Sequence, residues 1–295
     1  MTPPAPAPAA LSALRPAHSE LFFDERLGVA PSLRLPKAIT RSWAYGDGSG
    51  RGVRVAVLDS GIDGSHPLVG GVAEYVAVDL APAADGEAPS EVRFTPGPHD
   101  DVYGHGTACA GIICELAPEV ELVSVRVLGP DLFGSTKVFA HGLDWCLEHG
   151  VQVASLSLST HNEAWAPAFW DLVDQACYRN MMVVSAMNNE PKRTIPSEYA
   201  GVFSVACGPG TDRERVWCRP DGPAQWGAAG IEVPVAELGG GTMVATGNSF
   251  ATPVVAGHLA RIVGAHPGIT VWQAKTVLAQ LAENRPRPAA GGRAR

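Results

Sequence analysis

This sequence predicts an α/β fold: a three-layer, doubly wound, mostly parallel sheet with helices on both faces. Three observations carry the prediction. Short β-branched runs alternate with helix-period stretches along most of the chain. Each run is bounded by Gly, Pro or polar residues. The 295 residues are 46% hydrophobic and only 18% charged, enough apolar material for one large core.

The elements follow in order. Residues 1–20, "MTPPAPAPAALSALRPAHSE", read as a flexible Pro/Ala-rich arm. One domain is expected over 21–283. Within it the loop "YGDGSGRG" hands over to a strand at "VRVAVLD" (53–59). Further strands are expected at "ELVSVRV" (121–127), "VQVASLSL" (151–158), "MMVVSA" (181–186) and "VFSVAC" (202–207). "LAPAADGEAPSEVRFTPGPHDD" reads as a loop. Phe139, Leu143, Cys146 and Leu147 share one helical face, and Gly150 ends that helix. Val255, Leu259, Ile262 and Val263 mark a second helix. Thr270 and Gln273 form a capping box for a third, which carries Val271, Ala274, Leu278 and Leu281. The tail at 284–295 is Pro/Gly/Arg-rich and expected to be mobile.

Composition also excludes. A net charge of −8 with scattered basic residues argues against a nucleic-acid surface. No stretch approaches the roughly 18 apolar residues of a membrane span, and the start lacks the basic and apolar regions of a secretion signal. The six cysteines show no C-x-x-C zinc spacing and read as reduced thiols. Cys109 and Cys114 should not bridge, because a helix turns about 500° between them.

Doubly wound sheets gather reactive groups at the carboxyl ends of their strands. Asp59 ends the first strand, while His105 and Ser249 each open a helix. Singly, each has an ordinary role as turn, loop or cap residue. Together they are the three parts of hydroxyl activation: the carboxylate orients the imidazole, the imidazole takes the proton and the serine oxygen attacks a carbonyl. Ser249 is expected to be both the helix cap and the nucleophile. Gly104, Gly106 and Gly247 are expected to let the backbone run close to substrate, and Pro253 to fall in the first helical turn, where its missing N–H is tolerated.

"VAVLDSGIDGSHP", "GHGTACAG" and "GNSFATPVVAG" resemble, in this order, the three signature segments of the subtilisin-like serine peptidases (subtilases). "VSVRVLGPDLFGS", "HGLDWCLEHGVQVASLSLS" and "VVSAMNNEP" match between them, so the resemblance runs from about residue 40 to about residue 281. It implies catalytic Asp59, His105 and Ser249, with Asn188 as the oxyanion-hole donor and Asn189 as its adjacent competitor. Substrate is implied to lie as an added strand between Leu132, Phe133, Gly134 and Ser157, Leu158, Ser159.

This chain departs from the family pattern in several places. Ser159 and Thr160 stand for two glycines, and Met187 stands where a glycine is usual; all three narrow the main specificity pocket. Asn248 replaces the common threonine and is expected to add or rearrange an oxyanion donor. The ligand loop of the family's tight calcium site is missing, and Leu68 stands for its Asp ligand, so no cofactor and no tight metal site is expected. A weak calcium site at Asp100 and Asp101 is set against a solvated loop there, which is the preferred reading. Cys109, one turn after His105, resembles the cysteine of the proteinase K branch. It is expected to make the enzyme sensitive to mercurials, the alternative being a buried small hydrophobe.

The implied function is a serine endopeptidase acting on peptide or protein, with no nucleic-acid or membrane partner. Forty residues are too few for a folded pro-region. Either the form is mature, or the protein folds unaided in the cytoplasm; Met1 and the thiols favour the cytoplasm. This likens it to intracellular subtilases, including those that trim precursor peptides in cyanobactin-type pathways. A peptide transpeptidase or macrocyclase and a peptide-binding pseudoprotease are the alternatives.

Overall fold

The structure, a computed structural model, describes residues 35–81 and 91–285. The expected arm at 1–20 and the tail beyond Arg285 lie outside the described residues. The first two tail residues are described, and Asn284 is fastened at both ends to the Cys218 backbone, at 3.0 and 2.8 Å.

The five expected strands form within a residue or two of their places: β1 (Arg54–Asp59), β4 (Glu121–Arg126), β5 (Val153–Leu156), β6 (Met182–Ala186) and β7 (Phe203–Cys207). Six more join them. The stretch read as a loop contributes part of a hairpin, β2 (Glu74–Ala81) and β3 (Glu91–Pro96), and β8 (Val216–Cys218), β9 (Trp226–Ala228), β10 (Val233–Glu237) and β11 (Gly241–Ala245) follow. Nine strands make one sheet in the order β3-β2-β4-β1-β5-β6-β7-β9-β8, and β10 and β11 pair separately. The seven inner strands are parallel, and the antiparallel β3 and β8 close its two rims.

Helices cover both faces. After the short α1 (Arg41–Tyr45) come α2 (His105–Leu116), α3 (Thr136–Glu148), α4 (Ala166–Tyr178), α5 (Asn248–Ala265) and α6 (Val271–Leu281). The stripe Phe139, Leu143, Cys146 and Leu147 of α3 packs with Phe169 and Val173 of α4 onto Ala56 and Leu58. The capping box at Thr270 and Gln273 is present. The core is close to a continuous apolar run in each of β4, β1, β5, β6 and β7, as burial on both faces requires.

Side-chain alternation along β1 decides where the chemistry lies. Ala56 and Leu58 face α3 and α4, so Val55, Val57 and Asp59 point to the opposite face, where α2 and α5 pack against each other. None of the helices among the described residues is long and apolar enough to cross a membrane.

Candidate active site

Asp59 is fully buried at the carboxyl end of β1. His105 opens α2 and donates from Nδ1 to both Asp59 oxygens, at 2.9 and 2.8 Å. A carboxylate only accepts, so Nδ1 carries a proton toward Asp59 and Nε2 faces away from it. Burial is the largest single influence and penalises the imidazolium, but the Asp59 charge, the neighbouring Cys109 and the hydrogen bonds to both together outweigh it and hold the His105 pKa well above the ordinary histidine value.

The start of α2 is built by Gly104 and Asp101, in roles other than those expected from the sequence. Gly104 is its N-cap, at φ 105°, and has no side chain to satisfy the helix donors. Asp101 satisfies them. Its carboxylate accepts from the N–H groups of Tyr103, Gly104 and Thr107 and from the hydroxyls of Thr107 and Ser60. This corrects the solvated-loop reading for Asp101, which is 6% exposed; Asp100 is exposed. Gly106 is required for packing and not for substrate, because a Cβ there would sit 2.0 Å from the Gly61 carbonyl oxygen.

Ser249 is the second residue of α5, and Gly247 holds the cap position. The expectation that Ser249 caps its own helix is therefore corrected: its hydroxyl makes no hydrogen bond among the described residues. Nor does Pro253 fall in the first turn, being the sixth residue of α5. With no N–H, it leaves the Ser249 carbonyl without its helical partner. Ser157 Oγ donates to that carbonyl at 2.8 Å, and the Cys109 thiol lies 3.6 Å from it.

His105, Ser249, Asn188 and Asn189 line one cleft of about 480 Å³, together with all six expected substrate-edge residues, Leu132, Phe133, Gly134, Ser157, Leu158 and Ser159. The backbone groups of Gly134, Leu158 and Ser159 form no hydrogen bond among the described residues, which leaves them open to an added strand. Thr160, also on the cleft wall, is locked by paired backbone bonds with Ile195 at 2.9 and 2.8 Å and by Thr136 Oγ1 at 3.0 Å. A larger groove of about 930 Å³, walled by Trp170, Tyr178 and Trp272, contains none of the three catalytic candidates, so volume does not mark the site.

The two asparagines separate by their oxygen partners. Asn188 Oδ1 accepts the Glu190 N–H at 2.9 Å and so closes its own turn. Asn189 Oδ1 accepts the Asn248 N–H at 2.9 Å, beside Ser249. A Cβ on Gly247 would lie 3.1 Å from Ser249 Oγ and 3.7 Å from Asn189 Nδ2, so these two atoms border one small space. Asn248 itself does not point into that space. Its Oδ1 accepts from Cys207 N–H and its Nδ2 donates to the carbonyls of Met187 and Asn188, which corrects the expectation of an extra oxyanion donor.

All six cysteines are free. Cys109 is fully buried, and burial raises its pKa, so it is held as a thiol. The Asp59 carboxylate, the His105 ring and Cys109 Sγ offer donor atoms within 4.8 Å of one another. A thiophilic ion fits that donor set only by competing with the Asp59–His105 bond. At the place of the family's tight calcium ligand Leu68 offers no side-chain oxygen, and at the weaker candidate site the Asp101 carboxylate is already taken up by protein donors.

Residues 50–293 match the profile of the subtilase family. The chain is 30% identical to alkaline elastase YaB of Bacillus sp. (strain YaB) over 248 residues, which is 80% of this chain and 61% of that protein. It is 31% identical to subtilisin BL of Lederbergia lenta over 232 residues, 74% of this chain and 79% of that one. It therefore spans about three-fifths of the length of the elastase. A cold adapted subtilisin-like serine proteinase shares the fold, with a TM-score of 0.61 at 24% identity over 86% of this chain and 89% of that one. With the motif order, the parallel sheet and the shared cleft all in agreement, the chain belongs to the subtilase family.

Proposed function

We propose that this protein is a serine endopeptidase that works through an acyl-enzyme on Ser249. The observation that carries the reading is the His105 imidazole, bonded through Nδ1 to both oxygens of a buried carboxylate and opening on the same cleft as Ser249. His105 Nε2 takes the hydroxyl proton as Ser249 Oγ attacks the substrate carbonyl carbon. The Ser249 N–H, in the first turn of α5 and unbonded among the described residues, receives the oxyanion. The fixed amide of Asn189 supports that residue as the second donor in place of Asn188. The proton then passes from His105 to the departing amine, and water, deprotonated by the same nitrogen, releases the acyl group.

A fluorophosphonate that labels Ser249 and no other serine, with labelling and peptide cleavage both lost in Ser249→Ala, is the expected result. Wild-type protein that neither labels nor cleaves a diverse peptide library overturns the reading. Linear products support hydrolysis over transpeptidation, and a cleft open to an extended chain supports an endopeptidase that processes precursor peptides.

Six free thiols support a reducing, cytoplasmic setting. Mercuric ion is expected to inhibit through Cys109, and Cys109→Ala to remove that inhibition; full activity with the thiol modified contradicts it. No tight calcium site is expected, so a chelator should leave the melting temperature unchanged.

A further inference from the structure

The carboxyl ends of β6 and β7 part at one defined rung. The strands pair in parallel up to Ala186 and Val205, and the Met187 N–H then donates to the Val205 carbonyl at 2.8 Å. In a parallel ladder the next bond runs from the Cys207 N–H to the Met187 carbonyl. That bond is not made. The carboxamide of Asn248 stands in the gap: its Oδ1 accepts the Cys207 N–H at 2.8 Å, and its Nδ2 donates to Met187 O at 3.1 Å and Asn188 O at 3.2 Å. A side-chain amide carries a donor and an acceptor spaced as in a peptide group, so it can replace a missing rung. A threonine offers one hydroxyl and spans the gap less completely.

The same residue is tied to the reaction on its other side. Its own N–H holds Asn189 Oδ1 at 2.9 Å, Thr252 Oγ1 donates to its carbonyl at 2.9 Å, and Ser249 is the next residue. Every polar group of Asn248 is thus engaged with protein.

We propose that Asn248 is a positioning residue whose carboxamide bridges the fork between β6 and β7, and so holds the Asn189 amide and the Ser249 N–H at the spacing an oxyanion needs. The proposal rests on the reading of Ser249 as the nucleophile. Two variants dissect the rung. Asn248→Ala removes both bonds. Asn248→Asp keeps an acceptor for Cys207 but turns a carboxylate oxygen toward two carbonyl oxygens.

The experiment measures kcat and KM on a peptide amide, and hydrogen exchange at the Cys207 N–H, in wild type and both variants. In Asn248→Ala, Cys207 exchange should rise about tenfold or more as its acceptor is lost. In Asn248→Asp it should stay slow, which also shows that variant to be folded. In both, kcat should fall ~10- to 100-fold with KM within about threefold, a smaller loss than the ~100- to 1000-fold that follows outright removal of an oxyanion donor. Unchanged Cys207 exchange in Asn248→Ala overturns the rung. Wild-type kcat in Asn248→Asp, or a loss confined to KM, overturns the positioning role. Absence of turnover and of Ser249 labelling in the wild type strikes the peptidase reading instead, and Cys207 exchange still decides the rung.

Discussion

Two histidines of this protein sit in comparably dry surroundings and are driven in opposite directions. His258 lies wholly within α5, where its Nε2–H donates to the Arg213 carbonyl at 2.9 Å and its Nδ1 accepts from Tyr45 Oη at 2.7 Å. Burial pushes its pKa down to about 4, and the Arg261 and Arg41 charges press the same way, against the Arg213 carbonyl bond and the Glu214 charge. Desolvation is also the largest single influence on His105, yet its pKa is held well above the ordinary value, above all by the Asp59 carboxylate at its Nδ1 and further by Cys109. Burial alone does not choose the charge state. The formal charge of the partner does, and only the histidine with an anion behind it is equipped to accept a proton during a reaction.

The comparison can be broken at Asp59. Asp59→Asn keeps the shape but removes the anion, so kcat on a peptide amide should fall by about four orders of magnitude. The His105 ring, followed by NMR, should then titrate below the ordinary value, as His258 does. A smaller effect sharpens the other side. The folded pKa of His258 lies below its unfolded value of about 6.5, so the unfolded chain binds more protons across that window. Its contribution to stability is full above about pH 6.5 and is lost as pH falls toward 4, in all about 3 kcal/mol. Urea unfolding at pH 7 and pH 4.5 should show the loss, and His258→Asn should flatten that slope.

His105 has the opposite sign. Its contribution to stability is full below about pH 6.5 and is lost as pH rises through its raised folded pKa. Catalysis needs its neutral form, so the acid limb of the kcat/KM profile should have its midpoint above about pH 6.5. A midpoint below that value breaks the comparison.

The parts of the fold that were legible in the sequence are those buried on both faces. β1, β4, β5, β6 and β7 announce themselves as apolar runs, because each inner strand has helices above and below it. β3 was not legible: five of its six residues are exposed at the rim, so no apolar pattern is imposed on it. β8 and β9, at three residues each, are too short to show a period. In the candidate site, Asp59, His105 and Ser249 could be singled out because each sits in a local motif. Asn188 and Asn189 were not separable, since the same side chain occurs twice and only the partner of each Oδ1 distinguishes them. Asp101 was noticed only as a loop carboxylate, because its capping role depends on Ser60, Thr107 and the uncapped Gly104 meeting in space. A glycine at a helix start, unable to cap itself, was the available hint.

The proline inside α5 has a mechanical consequence. By leaving the Ser249 carbonyl free, it lets the hydroxyl of Ser157 and the thiol of Cys109 hold that carbonyl from the sheet edge and from α2 at once. Neither helix can shift along its axis without straining that grip, so partial fraying should not separate Ser249 from His105. Loss of competence on heating should then coincide with the collapse of the whole domain, with no earlier phase of its own.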